Sequence, residues 1–318
     1  MELLLDPEDR GYPAEYLLSR IRGRRARLIT DWRPLIFDAS PFDSLSLRGG
    51  SRDRSPEGVW RNLMREYRWV YLQMNKGLRL VFRPFFLYVE LRTLFICLRH
   101  GNVKKAGAVE ELLAASLLSD DIRHILVTSP DVRTAVSGIE RVFLPLSVKF
   151  SGLSRAFDVS GLTGVEQRLM TTYLAVTAQA GLHPVMERFF KRLIDARNIM
   201  NLYKYFRLEL TAPPPFIEGG DVPKERVKEL IDRQDAAAVT SLVRERTGIK
   251  LETPDPTEVE SALYKGMTRH LRKEGRDPLG TGLILDYLWR CSIEARNLSV
   301  LLCGRDLERE VVSAELVQ

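Results

Sequence analysis

The sequence predicts an all-α protein made of three pseudo-symmetric helical repeats of about 100 residues each, and three observations predict it. One phrase is written three times: YVELRTLFICLRHG at 88–101, LIDARNIMNLYKYF at 193–206 and SIEARNLSVLLCG at 292–304. Each copy sets an acid two residues before an arginine, as Glu90 and Arg92, Asp195 and Arg197, Glu294 and Arg296, with the acids 105 and 99 residues apart. Around the acids the apolar positions also recur. Phe85, Phe190 and Trp289 stand five residues before, Leu94, Ile199 and Leu298 four after, and Leu98, Tyr203 and Leu302 eight after. Steps of four stay on one face of a helix and would scramble on a strand. Finally, alternating β-branched runs closed by hairpin turns are nearly absent.

The elements follow in order. Residues 1–54 read as a helical lead-in, densest in charge at SRIRGRRARL (19–28), which carries Arg20, Arg22, Arg24, Arg25 and Arg27 with no acid between them. Repeat 1 spans 55–145 and opens on Ser55 as a cap with Pro56 at the first helical position. A Gly- and Ser-bearing stretch at 146–162 reads as a linker. Repeat 2 occupies 163–215, opening on Thr163 with Glu166, and a helical extension covers 216–256. Repeat 3, 257–318, opens on Thr257 with Glu260. The last two openings fit a capping box, in which a hydroxyl and a carboxylate satisfy orphan backbone N–H groups reciprocally. Breakers separate the helices within each repeat: NKG at 75–77, AGLHP at 180–184 and EGRDPLGTG at 274–282. After the closing helix, DVPKERVKELI (221–231) and DLEREVVSAELV (306–317) each read as an Asp cap followed by an amphipathic segment.

Composition sets the limits. A chain of 318 residues with 45% apolar side chains can bury two or three packed units. Cys97, Cys291 and Cys303 lack CxxC spacing and lie in apolar helical patterns, which suits buried, reduced thiols. The opening MELLLDPEDR carries acids where a signal peptide needs a basic flank. The most apolar stretch, 78–98, is broken by Arg79, Arg83, Glu90 and Arg92, each costing about 2.5 kcal/mol or more at a bilayer centre, so no membrane span is expected. The net charge of +6 is carried by residues 1–100, which hold 18 basic and 12 acidic side chains. The five arginines of 19–28 read either as a solvated helix face or as a patch for nucleic acid, acidic lipid or an acidic protein. A charge balance that turns acidic toward the C-terminus argues against nucleic acid.

No catalytic, metal or cofactor constellation is visible. His100, His124, His183 and His270 are scattered singly, and GTGLIL at 280–285 lacks the third glycine and preceding strand of a dinucleotide fingerprint. Within one acid-x-Arg motif the two charges point about 200° apart around the helix, so each needs an outside partner. The acid shares its side with apolar positions at the margin of the core, so the motif reads as a structural device bonding a neighbouring helix or the next repeat, with a solvated pair as the alternative reading. If Glu294 is buried against a cation on another helix, Glu294→Ala costs roughly 2 to 4 kcal/mol, and Glu90 and Asp195 behave alike.

Three acid-x-Arg helices at this spacing, EARNL near the end with a short capped helix after it, and the opening GYPAEYLLSRIRGRRARLI (11–29) together resemble the C subunit of the V-type (A-type) ATP synthases. The eukaryotic counterpart is the d subunit of the vacuolar proton pump. The resemblance covers essentially the whole chain, but the first repeat departs in having Thr93 where the others have Asn198 and Asn297. It implies a funnel-shaped, non-catalytic rotor subunit, peripheral on the cytoplasmic face of the membrane. Such a protein links the central shaft to the proteolipid rotor ring and takes no cofactor. Which ion the complex moves, and whether it makes ATP or pumps, belong to other subunits. The alternative reading is a helical scaffold or adaptor outside that complex.

Overall fold

The computed structural model describes residues 3–37, 55–101, 106–234, 236–252, 254–304 and 306–317. Among them are fourteen α-helices and no strand, as the sequence predicts. The helices are α1 (Ala14–Arg25), α2 (Arg33–Phe37), α3 (Pro56–Gln73), α4 (Lys76–Gly101), α5 (Ala106–Ala114), α6 (Asp120–Thr128), α7 (Val132–Phe143), α8 (Leu153–Ala178), α9 (Pro184–Arg207), α10 (Lys224–Asp232), α11 (Ala236–Thr247), α12 (Pro256–Glu274), α13 (Thr281–Cys303) and α14 (Arg309–Glu315). The three acid-x-Arg phrases fall in α4, α9 and α13.

The chain divides into two compact units. One gathers Met1–Pro13, Met64–Phe190 and Ile217–Gly219. Its centre is aromatic: Tyr67 meets Phe85 edge-on at 5.8 Å, Tyr71 meets Phe86 at 5.0 Å, and Phe85 lies 5.6 Å from Phe189. Edge-to-face rings add about 0.5–1.5 kcal/mol per pair beyond the area they bury. Pro84, inside α4, has no N–H to donate, and its own carbonyl accepts the Tyr173 hydroxyl at 2.7 Å from α8. An isolated antiparallel bridge joins Leu4 to Leu118.

The other unit gathers Ala14–Leu63, Lys191–Phe216 and Gly220–Gln318. One apolar cluster packs Leu202 of α9, Val239, Leu242 and Val243 of α11 and Val259 of α12. Another joins Trp32, Leu35 and Ile36 to Leu298 and Leu301 of α13 and to Val312 and Leu316.

Several boundaries differ from the sequence expectation for local reasons. Ser55 does cap α3, accepting the Gly58 N–H at 3.0 Å. The stretch read as a linker at 146–162 holds a 3-10 turn at Val148–Phe150 and then the first turns of α8, which leaves helical geometry at Gly161 (φ 61°, ψ −152°), a conformation glycine tolerates. Glu166 forms no capping box; its carboxylate accepts from Nε and Nη2 of Arg99, each at 2.7 Å. The box of α12 sits two residues earlier than expected, with Asp255 and Glu258 holding each other's backbone N–H around Pro256. Neither Asp221 nor Asp306 caps its helix: α10 begins after Pro223 and α14 after Glu308, both without a side-chain cap. Cys97 and Cys291 are buried as expected, whereas Cys303 is exposed at the end of α13. Of the lead-in, residues 38–54 lie outside the described residues.

Candidate functional site

Each acid-x-Arg helix grips a length of chain through its acid or the polar residue three positions on. Glu90 is completely buried. Its Oε1 accepts the Leu117 N–H at 2.5 Å and its Oε2 the Ser116 hydroxyl at 2.8 Å. Residues 115–119 run between α5 and α6 outside helical structure; Ser116 N–H still reaches the Leu113 carbonyl of α5 at 3.1 Å, but the Leu117 N–H beyond it must find an acceptor elsewhere. The carboxylate supplies it. The same segment is held elsewhere: the Ser116 carbonyl accepts from Arg68 at 2.6 Å and Arg123 at 2.5 Å, Leu5 N–H donates to the Leu117 carbonyl at 2.8 Å, and Ser119 N–H to the Leu3 carbonyl at 3.0 Å. Burial pushes the Glu90 carboxyl above its ordinary range, while the Leu117 and Ser116 donors and the Arg123 charge oppose the shift. Burial, together with the neighbouring Glu90 charge, pushes the Cys97 thiol up to about 12.

Asp195 repeats the contact at the same interval. It is 2% exposed, and its Oδ1 accepts the N–H of Val222, again 27 residues on, at 2.9 Å. Its Oδ2 lies 3.5 Å from Arg246 Nε, and Arg246 Nη1 lies 3.5 Å from Asp221 Oδ2. Burial raises the Asp195 carboxyl, Val222 N–H and Arg246 draw it back, and the charge of Asp221 adds to the rise. The close approach needs Gly220, because a Cβ there would sit 2.2 Å from Asp195 Oδ1. A small void beside the pair is lined by Arg192, Asp195, Arg246, Thr247 and Met267.

In α13 the work is divided. Asn297, fully buried, accepts the Val317 N–H at 3.0 Å and donates to the Val317 carbonyl at 2.8 Å. Glu294, three residues earlier and only half-buried, accepts the Ile29 N–H at 2.9 Å. That donor is a backbone group from the segment between α1 and α2. Arg296 donates to the Glu315 carbonyl at 2.8 Å, lies 3.9 Å from Glu260, and covers the Tyr264 ring at 5.2 Å. Tyr264 in turn stacks on Trp289, whose Nε1 donates to Thr268. Arg92 is exposed and Arg197 half-buried.

The five arginines of the lead-in separate into two kinds. Arg20, Arg22 and Arg27 are exposed; Arg24 and Arg25 are half-buried. Arg20 donates to the Tyr16 hydroxyl at 2.7 Å. Arg22 donates to the Pro278 carbonyl at 2.5 Å, and Arg25 Nη1 to the Gly275 carbonyl at 3.1 Å. Arg25 Nη2 also stands 3.0 Å from Asp286, a carboxylate of α13 with no exposure at all. Sequence reasoning missed Asp286, although an acid inside the apolar run LILDYLW is itself the signal of a buried charge seeking a partner. Burial raises its carboxyl, against which Arg25, Arg290 and Arg272 act. Gly275 packs directly over it: a Cβ there would lie 2.7 Å from Asp286 Cβ.

Among the described residues no group of three or more His, Cys, Asp or Glu could hold a metal ion, and no helix is long and apolar enough to cross a membrane. What the contacts above do is position backbone: two carboxylates and an amide of the long helices hold Leu117, Val222 and Val317. The sequence matches no curated protein. Residues 43–311 match the family described as the ATP synthase (C/AC39) subunit.

Proposed function

The chain belongs to the ATP synthase (C/AC39) subunit family, and from that premise we propose that it is a non-catalytic rotor component of a V-type or A-type ATP synthase or ATPase. In this reading it is peripheral on the cytoplasmic face, joins the central shaft to the proteolipid ring, and transmits torque between them. The family match over 43–311 is the observation that carries the reading. The internal architecture is consistent with it. A part that passes torque should not absorb it in local opening, and loops are normally the softest parts of a helical protein. Here the segments at Leu117, Val222 and Val317 are bonded by buried side chains to long helices. The threefold repeat of the sequence belongs to the same proposal, each third contributing one long closing helix and the segment it holds.

Affinity purification of the tagged chain from native membranes tests the assignment. Shaft and ring proteins should co-purify, and the pure chain should hydrolyse no ATP. Isolation free of both, under conditions that keep the remaining complex intact, would overturn the rotor reading in favour of an adaptor outside it.

A further inference from the structure

The fold brings together two basic stretches that lie some 250 residues apart in sequence. Arg22 and Arg25 of α1 bond the carbonyls of Pro278 and Gly275, which seats the C-terminal end of α1 against the turn between α12 and α13. That turn and the last residues of α12 contribute Arg272, Lys273 and Arg276, all exposed, next to the exposed Arg22 that bonds the turn, with the exposed Arg27 two residues on from Arg25 in sequence. The acids within this corner are fewer than its cations. Asp286 is buried against Arg25, Glu274 is partly buried 3.8 Å from His270, and Asp277 takes the Leu279 N–H at 3.0 Å. Arg25, Arg272 and Arg290 all act on the single Asp286 carboxylate, so the corner keeps a surplus of positive charge. At its tip stands Leu279, 69% exposed although apolar, on a turn held in shape by Asp277.

We propose that this corner is a docking surface for anionic phospholipid, with Arg22, Arg27, Lys273 and Arg276 at the headgroup phosphates and Leu279 entering the acyl boundary. Charge complementarity picks an anionic partner, and the leucine among arginines picks a bilayer over a soluble polyanion. A membrane surface offers phosphates and hydrocarbon within a few ångströms of each other, which is the pairing that a leucine set among arginines fits. The proposal goes beyond torque coupling, since it concerns a direct contact of this chain with lipid.

Sedimentation of the pure full-length chain with vesicles tests it without the rest of the complex, so its failure and that of the rotor assignment are distinguishable. Vesicles of phosphatidylcholine containing about a third phosphatidylglycerol should bind the chain at low salt, and pure phosphatidylcholine should not. Binding should weaken as salt is raised. The triple variant Arg27→Ser, Lys273→Ser, Arg276→Ser removes exposed charges that hold no buried group, and should lower the partition coefficient on the order of a hundredfold. Leu279→Gln, on an exposed turn whose hydrogen bond is from the backbone, should lower it about tenfold. Circular dichroism establishes that both variants fold. No binding to anionic vesicles at low salt overturns the proposal. So does binding that Leu279→Gln leaves unchanged and that soluble polyglutamate competes away, which would assign the corner to an acidic protein.

Discussion

Replacing Glu90 separates a hydrogen-bonding role from a charge role. In Glu90→Ala the Leu117 N–H and Ser116 hydroxyl lose their acceptor inside a fully buried site, and each orphaned donor costs about 1–3 kcal/mol. The vacated side-chain volume adds a cavity cost, while relief from burying a charge offsets part of the total. A net loss of about 3 kcal/mol is expected. Glu90→Gln keeps an oxygen for the Leu117 N–H and gives the rotatable Ser116 hydroxyl an amide donor to accept from, so it should cost about 1 kcal/mol or less. The pH dependence has a definite sign. Because burial raises the Glu90 carboxyl above its value in the unfolded chain, the folded state binds the extra proton first. Glu90's contribution to stability is therefore fully present below the unfolded pKa, and is lost as pH rises through the folded one. Urea unfolding of wild type and both variants at several pH values checks this: the stability of wild type relative to Glu90→Gln should improve from neutral pH toward the ordinary carboxylate range. If Glu90→Gln proves as damaging as Glu90→Ala at neutral pH, the negative charge acting on Arg123, and not the grip on Leu117, is what the site needs.

Other substitutions test the remaining contacts. Gly220→Ala places a methyl 2.2 Å from Asp195 Oδ1, so it should cost about 2 kcal/mol or more in chemical denaturation, and an effect within about 0.5 kcal/mol would mean the backbone yields freely there. Glu294→Ala loses at least the half-buried bond to the Ile29 N–H and should cost about 1 kcal/mol or more; an effect within about 0.5 kcal/mol would mean that this bond does not hold the segment after α1. Arg25→Ala strips the fully buried Asp286 of its closest cation and should destabilise by about 2–3 kcal/mol, the figure being reduced because Arg25 is itself partly exposed and Arg272 and Arg290 remain. Adding Asp286→Asn should recover most of that loss in a double-mutant cycle. In alkylation near pH 8, Cys303 should label in the native state, while Cys97, whose thiol is pushed to about 12, should label only on unfolding, as read by mass spectrometry.

The helical class and the closing helices were legible because apolar residues in steps of four state both the element and its inward face. Helix starts were less legible. Ser-Pro at 55–56 works because proline admits few alternatives, whereas Thr163-x-x-Glu166 and Thr257-x-x-Glu260 satisfy the capping pattern yet lose to competitors. Arg99 claims Glu166, and Asp255 with Pro256 caps two residues earlier. Partners 250 or more residues distant, such as Arg25 with Asp286 or Ile29 with Glu294, leave no local trace. The sequence could say that a buried acid needs a donor, but not whether that donor would be a guanidinium or a peptide N–H. Thr93 stood out as a departure from Asn198 and Asn297, yet only the fold shows Asn297 bonding both polar groups of Val317.

The recurrence of the acid has a physical cause that reaches beyond its neighbours. An all-α chain must still turn corners, and the extended residues at a corner carry N–H groups that a sheet would satisfy and a helix cannot. Apart from the Leu4–Leu118 bridge, the described residues offer no strand to do so. A carboxylate on a long, rigid helix is then the strongest acceptor available, since charged acceptors make bonds roughly twice as strong as neutral ones. Glu90 and Asp195 each bond the N–H of an apolar residue 27 positions on, immediately before α6 and α10 begin. In α13 the corresponding apolar residue is Val317, only 20 positions beyond Asn297, and the amide takes it. Glu294, three residues earlier, is left to hold Ile29 from the segment after α1. A neutral amide suits Val317 because it can answer the carbonyl as well as the N–H, which a carboxylate cannot. Asn297→Asp should therefore weaken the fold despite conserving shape, by about 1–3 kcal/mol, since it sets a carboxylate against the Val317 carbonyl in a site with no exposure. Raising the pH across the carboxylate range should deepen that loss, because protonation restores a donor; a loss that stays the same from about pH 4 to about pH 8 would mean the Val317 carbonyl has found another donor.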